Sequence, residues 1–235
     1  MKKKIVRAVA LVLVCSMMVL PVSAAEMTEE AVNAVGGEVI ELSEEESLYD
    51  FPYVDVDENE WFALEAYVMY ETGLMMGKDT EHFAPYEPLA RAQFAMIIWR
   101  TVGEPDIPYD EIFPEVPDGT WYTRAVLAAY GLNIITGYSD TGYFGPSDYI
   151  TREQMATMMY RLAITAELDV SARSDFGNFV DGESVSSFAQ DAMSWAVARG
   201  IITGKDSGTR LDPQGSTSRA ETAVILTRFF LSYGE

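Results

Sequence analysis

The chain has almost none of the residues that build thiol chemistry or histidine sites. It contains one cysteine, Cys15, and one histidine, His82. Cys15 lies in an N-terminal apolar segment, so a chain that loses this segment has no disulfide, thiolate metal site or cysteine nucleophile. A lone histidine also argues against Ser–His catalysis and histidine-rich metal sites. Paired carboxylates could hydrolyse glycosides, but among 37 acidic residues any pair is a weak signal. We therefore expect no enzyme activity, no metal and no cofactor.

Basic residues are also scarce, with 16 Lys and Arg against 37 Asp and Glu and a formal net charge of −21. A chain of this charge repels nucleic acid and anionic lipid over long range. We expect no nucleic-acid partner. An anionic ligand would have to be held by a few local cations.

Only one long apolar run is present, from Ala8 to Leu20. It follows the basic residues 2–4 and Arg7, and it precedes small residues that end at Ala25. This order is typical of a secretory signal, and the run is shorter than the ~20 residues of a membrane span. We expect cleavage near Ala24 and no transmembrane span, which places the protein outside the cell, at the cell wall or cell surface. A retained anchor is the alternative.

The next segment, residues 25–47, is rich in glutamate and contains no aromatic and no basic residue. Segments of this composition bury too little apolar surface to fold. We interpret residues 1–24 as a signal peptide and residues 25–47 as a flexible acidic leader.

Three similar segments make up the rest of the chain. They begin with Trp61, Trp121 and Phe188, and each continues at matching intervals with a glycine, a proline and two arginines. The matching residues are Gly77, Gly137 and Gly204; Pro85, Pro146 and Pro213; Arg91, Arg152 and Arg219; and Arg100, Arg161 and Arg228. This internal repetition predicts three repeats, over residues 48–103, 104–168 and 169–235.

The first half of each repeat has the spacing of an amphipathic helix. In the second repeat Trp121, Ala125 and Ala128 share one helical stripe, which places the leading aromatic residue in the core. The helix is expected to stop at Gly73, Asn133 and Gly200, because Gly and then Asn best tolerate the left-handed conformation at a helix end.

The second half of each repeat predicts another helix. Its start is marked by the capping boxes Thr151–Gln154 and Ser218–Glu221, whereas Ala90 lacks the capping hydroxyl. A unit with two short helices cannot bury its apolar stripes alone, but three such units can bury them together. We expect a mostly α domain in which three helix–loop–helix repeats pack with pseudo-threefold symmetry.

The order of these motifs resembles the S-layer homology (SLH) family. It is carried by Gly200-Ile-Ile-Thr-Gly204 and Thr217-Ser-Arg-Ala-Glu221 in the third repeat and by Asn133-Ile-Ile-Thr-Gly137 in the second. The resemblance implies a pseudo-threefold helical unit that binds secondary cell-wall polymer, often carrying pyruvate ketals, in grooves between adjacent repeats. In some bacteria related repeats bind peptidoglycan instead.

The resemblance also implies the ligand-binding residues. They are Arg91, Arg152 and Arg219; Lys78 and Lys205; Asp55 and Asp181; and Trp61 and Trp121. We add Gly77, Gly137 and Gly204 to the candidate ligand-binding residues, because a glycine allows a ligand to approach closely. Arginine can clamp a carboxylate with two hydrogen bonds, and the free N–H groups at a helix start also favour an anion. The aspartates could bond sugar hydroxyls, and the tryptophans could stack on a sugar face.

Several of these residues also have a structural alternative. The first arginine of each second helix could pair with the early aspartate and brace the fold. We expect a structural role for the second arginine of each helix, Arg100, Arg161 and Arg228, because a cation near a helix C-terminus suits the dipole. The glycines could serve only as turns. The repeats differ as well, because Glu115, Tyr138 and Phe188 replace the expected Asp, Lys and Trp. The alternative function is a structural or protein-interaction module that docks another surface protein.

Overall fold

The computed structural model describes residues 51–234, so the expected signal segment and acidic leader (residues 1–24 and 25–47) lie outside the described residues. Within 51–234 the chain forms six α-helices, two from each repeat. They are α1 (Ala63–Glu71), α2 (Arg91–Thr101), α3 (Thr123–Gly131), α4 (Arg152–Thr165), α5 (Gln190–Ala198) and α6 (Arg219–Leu231). Two short 3-10 turns, Gly182–Ser184 and Ser187–Ala189, precede α5. The expected mostly α class is confirmed. No helix in this part of the chain is both long and apolar enough to cross a bilayer.

The first helix of each repeat ends where the sequence predicts. Gly73, Asn133 and Gly200 have backbone φ angles of +67°, +58° and +68°. These angles lie in the left-handed region, where a residue ends a helix and redirects the chain. The chain then turns into the loop that leads to the second helix.

The second helices start at the predicted capping residues. The Thr151 hydroxyl accepts a hydrogen bond from the Gln154 N–H at 3.3 Å, and the Ser218 hydroxyl accepts one from the Glu221 N–H at 3.1 Å. In α2 only half of the box is present. The Gln93 side chain accepts from the Ala90 N–H at 2.9 Å, but Ala90 has no side-chain oxygen to accept in return.

The helices pack across repeat boundaries in a cyclic order. α2 packs against α3, α4 packs against α5, and α6 returns to pack against α1. One core runs through all three repeats, and its fully buried side chains include Phe62, Phe94, Phe144 and Trp195. Because each helix pair joins two repeats, each repeat supplies a part of the core that its neighbours need.

A ring of three backbone hydrogen bonds lies where the repeats meet. The Leu89 N–H donates to the Thr217 carbonyl at 2.9 Å, Thr217 donates to Ile150 at 3.0 Å, and Ile150 donates to Leu89 at 2.9 Å. All three residues are completely buried. Buried backbone N–H and C=O groups need hydrogen-bond partners. Here each repeat donates one N–H to one neighbouring repeat and accepts one N–H from the other.

The incomplete capping box predicts that Ala90→Ser stabilises the protein. Serine at this position would accept the Gln93 N–H, as Thr151 and Ser218 do in their helices. A restored cap is worth about 1 kcal/mol, or roughly 2–4 °C in Tm for a chain of this size. Thermal unfolding followed by circular dichroism measures the change. Ser218→Ala is the reciprocal control and should lower Tm, whereas an Ala90→Ser variant no more stable than the parent would contradict the assignment.

Candidate functional site

An acidic residue near the start of each repeat binds the loop between that repeat's two helices. The Asp55 carboxylate accepts hydrogen bonds from the N–H groups of Phe83 (2.7 Å) and Ala84 (2.8 Å). The Asp181 carboxylate accepts from Leu211 and the residue that follows it, both at 2.8 Å. Each aspartate thus uses both carboxylate oxygens inside the protein. Asp55 and Asp181 brace the loop, and their contact with sugar hydroxyls stays a prediction.

In the middle repeat the carboxylate binds the loop with one oxygen instead of two. Glu115, which replaces the aspartate, accepts from the N–H groups of both Phe144 and Gly145 with the single oxygen Oε1. The other oxygen, Oε2, is buried and has no hydrogen-bond partner. The extra methylene of glutamate therefore leaves one buried oxygen unsatisfied.

The first arginine of each second helix reaches the same loop residue from another repeat. Arg91 Nε donates to the Phe144 carbonyl at 2.8 Å, and Arg152 Nε donates to Leu211 at 2.8 Å. Arg219 Nε completes the set by donating to the Phe83 carbonyl at 2.7 Å. The alternative that each arginine pairs directly with the early aspartate is thus replaced by an indirect link. One loop residue gives its N–H to a carboxylate of its own repeat and its carbonyl to an arginine of another repeat.

These arginines are 3–5% exposed, and burial lowers the pKa of each guanidinium. Nearby acidic groups oppose this effect: Glu221 and Asp212 raise the pKa of Arg152, and Glu87 raises that of Arg219. Arginine stays charged throughout the physiological range, so three positive charges lie almost buried at the repeat junctions.

The backbone at the start of each second helix is also occupied. The Arg91 N–H donates to the Asp148 carbonyl, and the Arg152 and Arg219 N–H groups donate to the carbonyls of Gly215 and Glu87. The N–H groups at these helix starts are thus taken by the neighbouring repeat or by the capping residue, except in α2, where Ala90 offers the Gln93 N–H no side-chain oxygen.

Within residues 51–234, three grooves lie at the repeat junctions, and each draws on all three repeats. Groove 1 follows α2 and is lined by Gly77, Lys78, Gln93 and Arg100, with Trp121 and Arg219 from the other repeats. Groove 2 follows α4 and is lined by Gly137, Tyr138, Gln154 and Arg161, with Phe188 and Arg91. Groove 3 follows α6 and is lined by Gly204, Lys205, Glu221 and Arg228, with Trp61 and Arg152. The structure thus brings together the predicted arginines, lysines, tryptophans and glycines.

The leading aromatic residues are exposed at these grooves. Trp61, Trp121 and Phe188 are 58%, 61% and 57% exposed, so the prediction that they pack in the core is wrong. The helical spacing was misleading because α3 begins at Thr123, after Trp121, and Phe188 lies in the 3-10 turn before α5. A residue in the turn before a helix does not follow the helix's stripe.

The sequence interpretation missed the second arginine of each second helix as a groove residue. Arg100 donates to the Leu74 carbonyl, Arg161 to Ile134, and Arg228 to the Thr203 hydroxyl. Arg100 and Arg228 lie in the last turns of α2 and α6, as expected for a cation that complements the helix dipole, whereas Arg161 does not lie in the last turn of α4. Each of the three arginines also lines its own repeat's groove. The nine-residue spacing between the two arginines of each helix was the sequence signal that could have shown this. Nine residues are two and a half helical turns, so the two arginines of one helix face opposite grooves.

The motif glycines allow the loop to pass close to an aromatic ring. A side chain at Gly77 would lie 2.3 Å from the Tyr53 ring and 2.7 Å from the His82 carbonyl. Gly204, with φ of +85°, has the same relation to the Phe179 ring. The glycines therefore serve packing as well as lining the grooves.

Chemically, each groove offers guanidinium groups, an exposed aromatic face and polar backbone. Arginine binds carboxylates and phosphates, and an aromatic face takes the apolar side of a sugar. Among residues 51–234 no three His, Cys, Asp or Glu side chains are grouped to hold a metal ion. The arrangement is that of a binding protein built from helical repeats.

The sequence places the chain in a defined family. The model of the S-layer homology domain matches residues 52–95, 116–156 and 178–223, which together make up more than half of the chain. The chain belongs to the S-layer homology family, and the three predicted repeats are confirmed.

Curated relatives share this region while carrying different names. An endoglucanase of Bacillus sp. (strain KSM-635) is 30% identical over 177 residues, 75% of this chain and 18% of the relative. An amylopullulanase of Thermoanaerobacterium thermosulfurigenes is 30% identical, over 76% of this chain and 9% of the relative. A cellulosome-anchoring protein of Acetivibrio thermocellus is 27% identical, over 62% of this chain and 33% of the relative. The chain thus spans a third or less of these relatives' length.

The unsatisfied Glu115 oxygen predicts that Glu115→Asp stabilises the protein. Aspartate would bind the loop with both oxygens, as Asp55 and Asp181 do. A buried oxygen without a partner costs about 1–3 kcal/mol, so we expect a gain of about 1 kcal/mol in the free energy of unfolding. Urea unfolding measures it, with Asp55→Glu as the reciprocal control that should destabilise. A loss of stability in Glu115→Asp would contradict this explanation.

The carboxylate brace also predicts a dependence of stability on acid. Burial raises the pKa of Asp181, but the N–H groups of Leu211 and Asp212 together with Arg210 outweigh it, so the pKa is lowered. A lowered folded-state pKa stabilises the protein above the ordinary value of 3.8 and ceases to do so as pH falls through the folded value.

Asp181→Asn should therefore be less stable than the parent at neutral pH, and the difference should shrink below about pH 4. Urea unfolding at a series of pH values measures this, with the exposed Asp118→Asn as control. A difference between variant and parent that stays constant down to pH 2 would contradict the assigned role.

Proposed function

We propose that this protein is a non-catalytic cell-surface protein that binds secondary cell-wall polymer, or peptidoglycan, through the grooves between its repeats. The observation that carries the proposal is the composition of the grooves. Each combines two arginines, an exposed aromatic ring and a glycine-containing loop, and these come from three different repeats. A groove of this kind suits a sugar that bears a carboxylate, such as a pyruvate ketal.

The cyclic packing supports this proposal, because the grooves form only where repeats meet. Helix contacts run from α2 to α3, from α4 to α5 and from α6 back to α1, and the backbone ring follows the same order. We infer that the three repeats form one pseudo-threefold domain. Residues 48–103, 104–168 and 169–235 are its units.

The relatives support a role in attachment over one in catalysis. The endoglucanase and the amylopullulanase share this region although their names describe different activities, and the region is a small part of each. Because proteins with different catalytic activities share this segment, the segment is a candidate for a role other than catalysis. The name of the cellulosome-anchoring protein points in the same direction. We place the protein at the cell wall or cell surface, with the signal peptide cleaved near Ala24.

The test is co-sedimentation of the protein with purified cell-wall sacculi, native or stripped of secondary polymer. We expect binding to native walls. Loss of binding on stripping identifies the polymer as the ligand, and binding that survives stripping identifies peptidoglycan. A protein that stays in the supernatant with both preparations would contradict the proposal and favour docking to another surface protein.

Groove variants should avoid the buried arginines, because these also hold the repeats together. Lys78→Ala and Trp121→Ala change exposed side chains of groove 1. We expect each to lower affinity for walls at least about tenfold, because a charge-assisted hydrogen bond or a comparable stacking contact is worth about 1.5–3 kcal/mol. Tyr149→Ala is the matched control, because Tyr149 is 57% exposed and lines none of the three grooves. Equal losses in the control and in the groove variants would contradict binding through groove 1.

A further inference from the structure

One position on the groove floor differs in charge between the repeats. The third residue of each second helix is Gln93 in groove 1, Gln154 in groove 2 and Glu221 in groove 3. All three side chains cap the start of their helix in the same way, because each accepts a hydrogen bond from the N–H of the residue that precedes its helix. The difference between them is therefore almost purely one of charge.

In groove 3 the Glu221 carboxylate forms an ion pair with Lys205, the lysine that an anionic ligand would need. Lys205 Nζ lies 3.0 Å from Glu221 Oε1 and 3.1 Å from Asp212 Oδ2, and the lysine side chain is only 25% exposed. The same two carboxylates also raise the pKa of Arg152, as Glu87 raises that of Arg219 in groove 1. An anion entering groove 3 would meet a lysine that is already paired with two carboxylates, although Arg228, which donates to the Thr203 hydroxyl, keeps its charge.

Groove 1 keeps its lysine, Lys78, accessible. Lys78 has one carboxylate partner, Glu87, and both side chains are about half exposed, so the ion pair is open to exchange with a ligand. Arg219 donates to the backbone carbonyls of Phe83 and Met76, and Arg100 donates to another backbone carbonyl. Backbone carbonyls orient a guanidinium without cancelling its charge.

Groove 2 has no lysine at the equivalent position, and aromatic rings cover the guanidinium of its Arg91. Tyr138 stands at the lysine position, and its ring lies 4.6 Å from the Arg91 guanidinium carbon. The Phe144 ring lies 4.9 Å from the same carbon. Two aromatic rings contact this guanidinium, and its Nη1 donates to Gln154. Groove 2 thus presents an aromatic surface more than a charged one.

We propose that the three grooves are not equivalent: groove 1 selects the anionic, carboxylate-bearing unit of the wall polymer, and Glu221 makes groove 3 reject it. This proposal rests on the proposed wall-binding function and assigns the discrimination to one position, 93 in groove 1 and 221 in groove 3. Groove 3 remains suited to an uncharged sugar unit, which Trp61 can stack against.

The tryptophans allow each groove to be observed separately. Trp121 lies in groove 1 and Trp61 in groove 3, whereas Trp99 and Trp195 donate to Pro105 and Tyr233 inside the protein. The chain has four tryptophans, so ¹H–¹⁵N spectra show four indole N–H signals, which single Trp→Phe variants assign. The probe is a methyl hexopyranoside with a 4,6-pyruvate ketal, and its methyl ester is the uncharged control.

We expect the Trp121 signal to shift at probe concentrations at least about tenfold lower than those that shift Trp61. Glu221→Gln should bring the Trp61 response close to that of Trp121, and Gln93→Glu should abolish the Trp121 response. Both variants keep an oxygen that accepts the helix-start N–H, so they should remain folded. The methyl ester should remove the preference for groove 1.

Other outcomes separate this proposal from the proposed function. Equal responses of Trp61 and Trp121 in the parent protein would overturn the selection by groove 1, as would a Trp121 response unchanged by Gln93→Glu. If neither indole responds and the protein still sediments with sacculi, the carboxylate selection is overturned and wall binding stands. If the protein also fails to sediment, both proposals are overturned.

Discussion

The structure depends on a buried arginine that crosses from each repeat to a loop of another. Its guanidinium donates to a loop carbonyl, and the N–H of the same loop residue donates to a carboxylate of its own repeat. A charge this deeply buried is costly unless its hydrogen bonds are made. The carbonyl is in the right place only when the carboxylate holds the loop and the neighbouring repeat is packed in position. The arginine therefore ties the local structure of one repeat to the presence of the next.

The grooves follow from this constraint. Each second helix sends its first arginine to one groove and its second, nine residues later, to another, as Arg91 and Arg100 show. A groove is consequently complete only when all three repeats are folded against each other. Positions in the brace, such as Asp55 and Arg219, must keep their chemistry, whereas Lys78 and Gln93 on the groove surface are free to diverge between repeats. This explains how one architecture can offer three different grooves.

Local features of the fold were predictable from the sequence, and contacts between distant residues were not. The helix ends at Gly73, Asn133 and Gly200 and the caps at Thr151 and Ser218 depend on residues a few positions apart, so composition and spacing indicate them. The partners of the arginines are far away in the chain: Arg91 and Phe144 are 53 residues apart, and Arg219 and Phe83 are 136 apart. No pattern within one repeat reveals such a pairing. The same limit applied to the aspartates, whose loop partners lie about 30 residues away. The error at Trp121 had a local cause, because α3 begins two residues later, at Thr123.

The central claim is that the repeats stabilise one another as a single closed unit. Native-state hydrogen exchange of the Leu89, Ile150 and Thr217 amides tests it most directly, because each of these N–H groups donates to a carbonyl of a different repeat. If the repeats fold as one unit, the three amides exchange with the same free energy, equal to that of global unfolding. If one amide exchanges with a clearly smaller free energy, its repeat opens independently, and the account of mutually dependent repeats is contradicted.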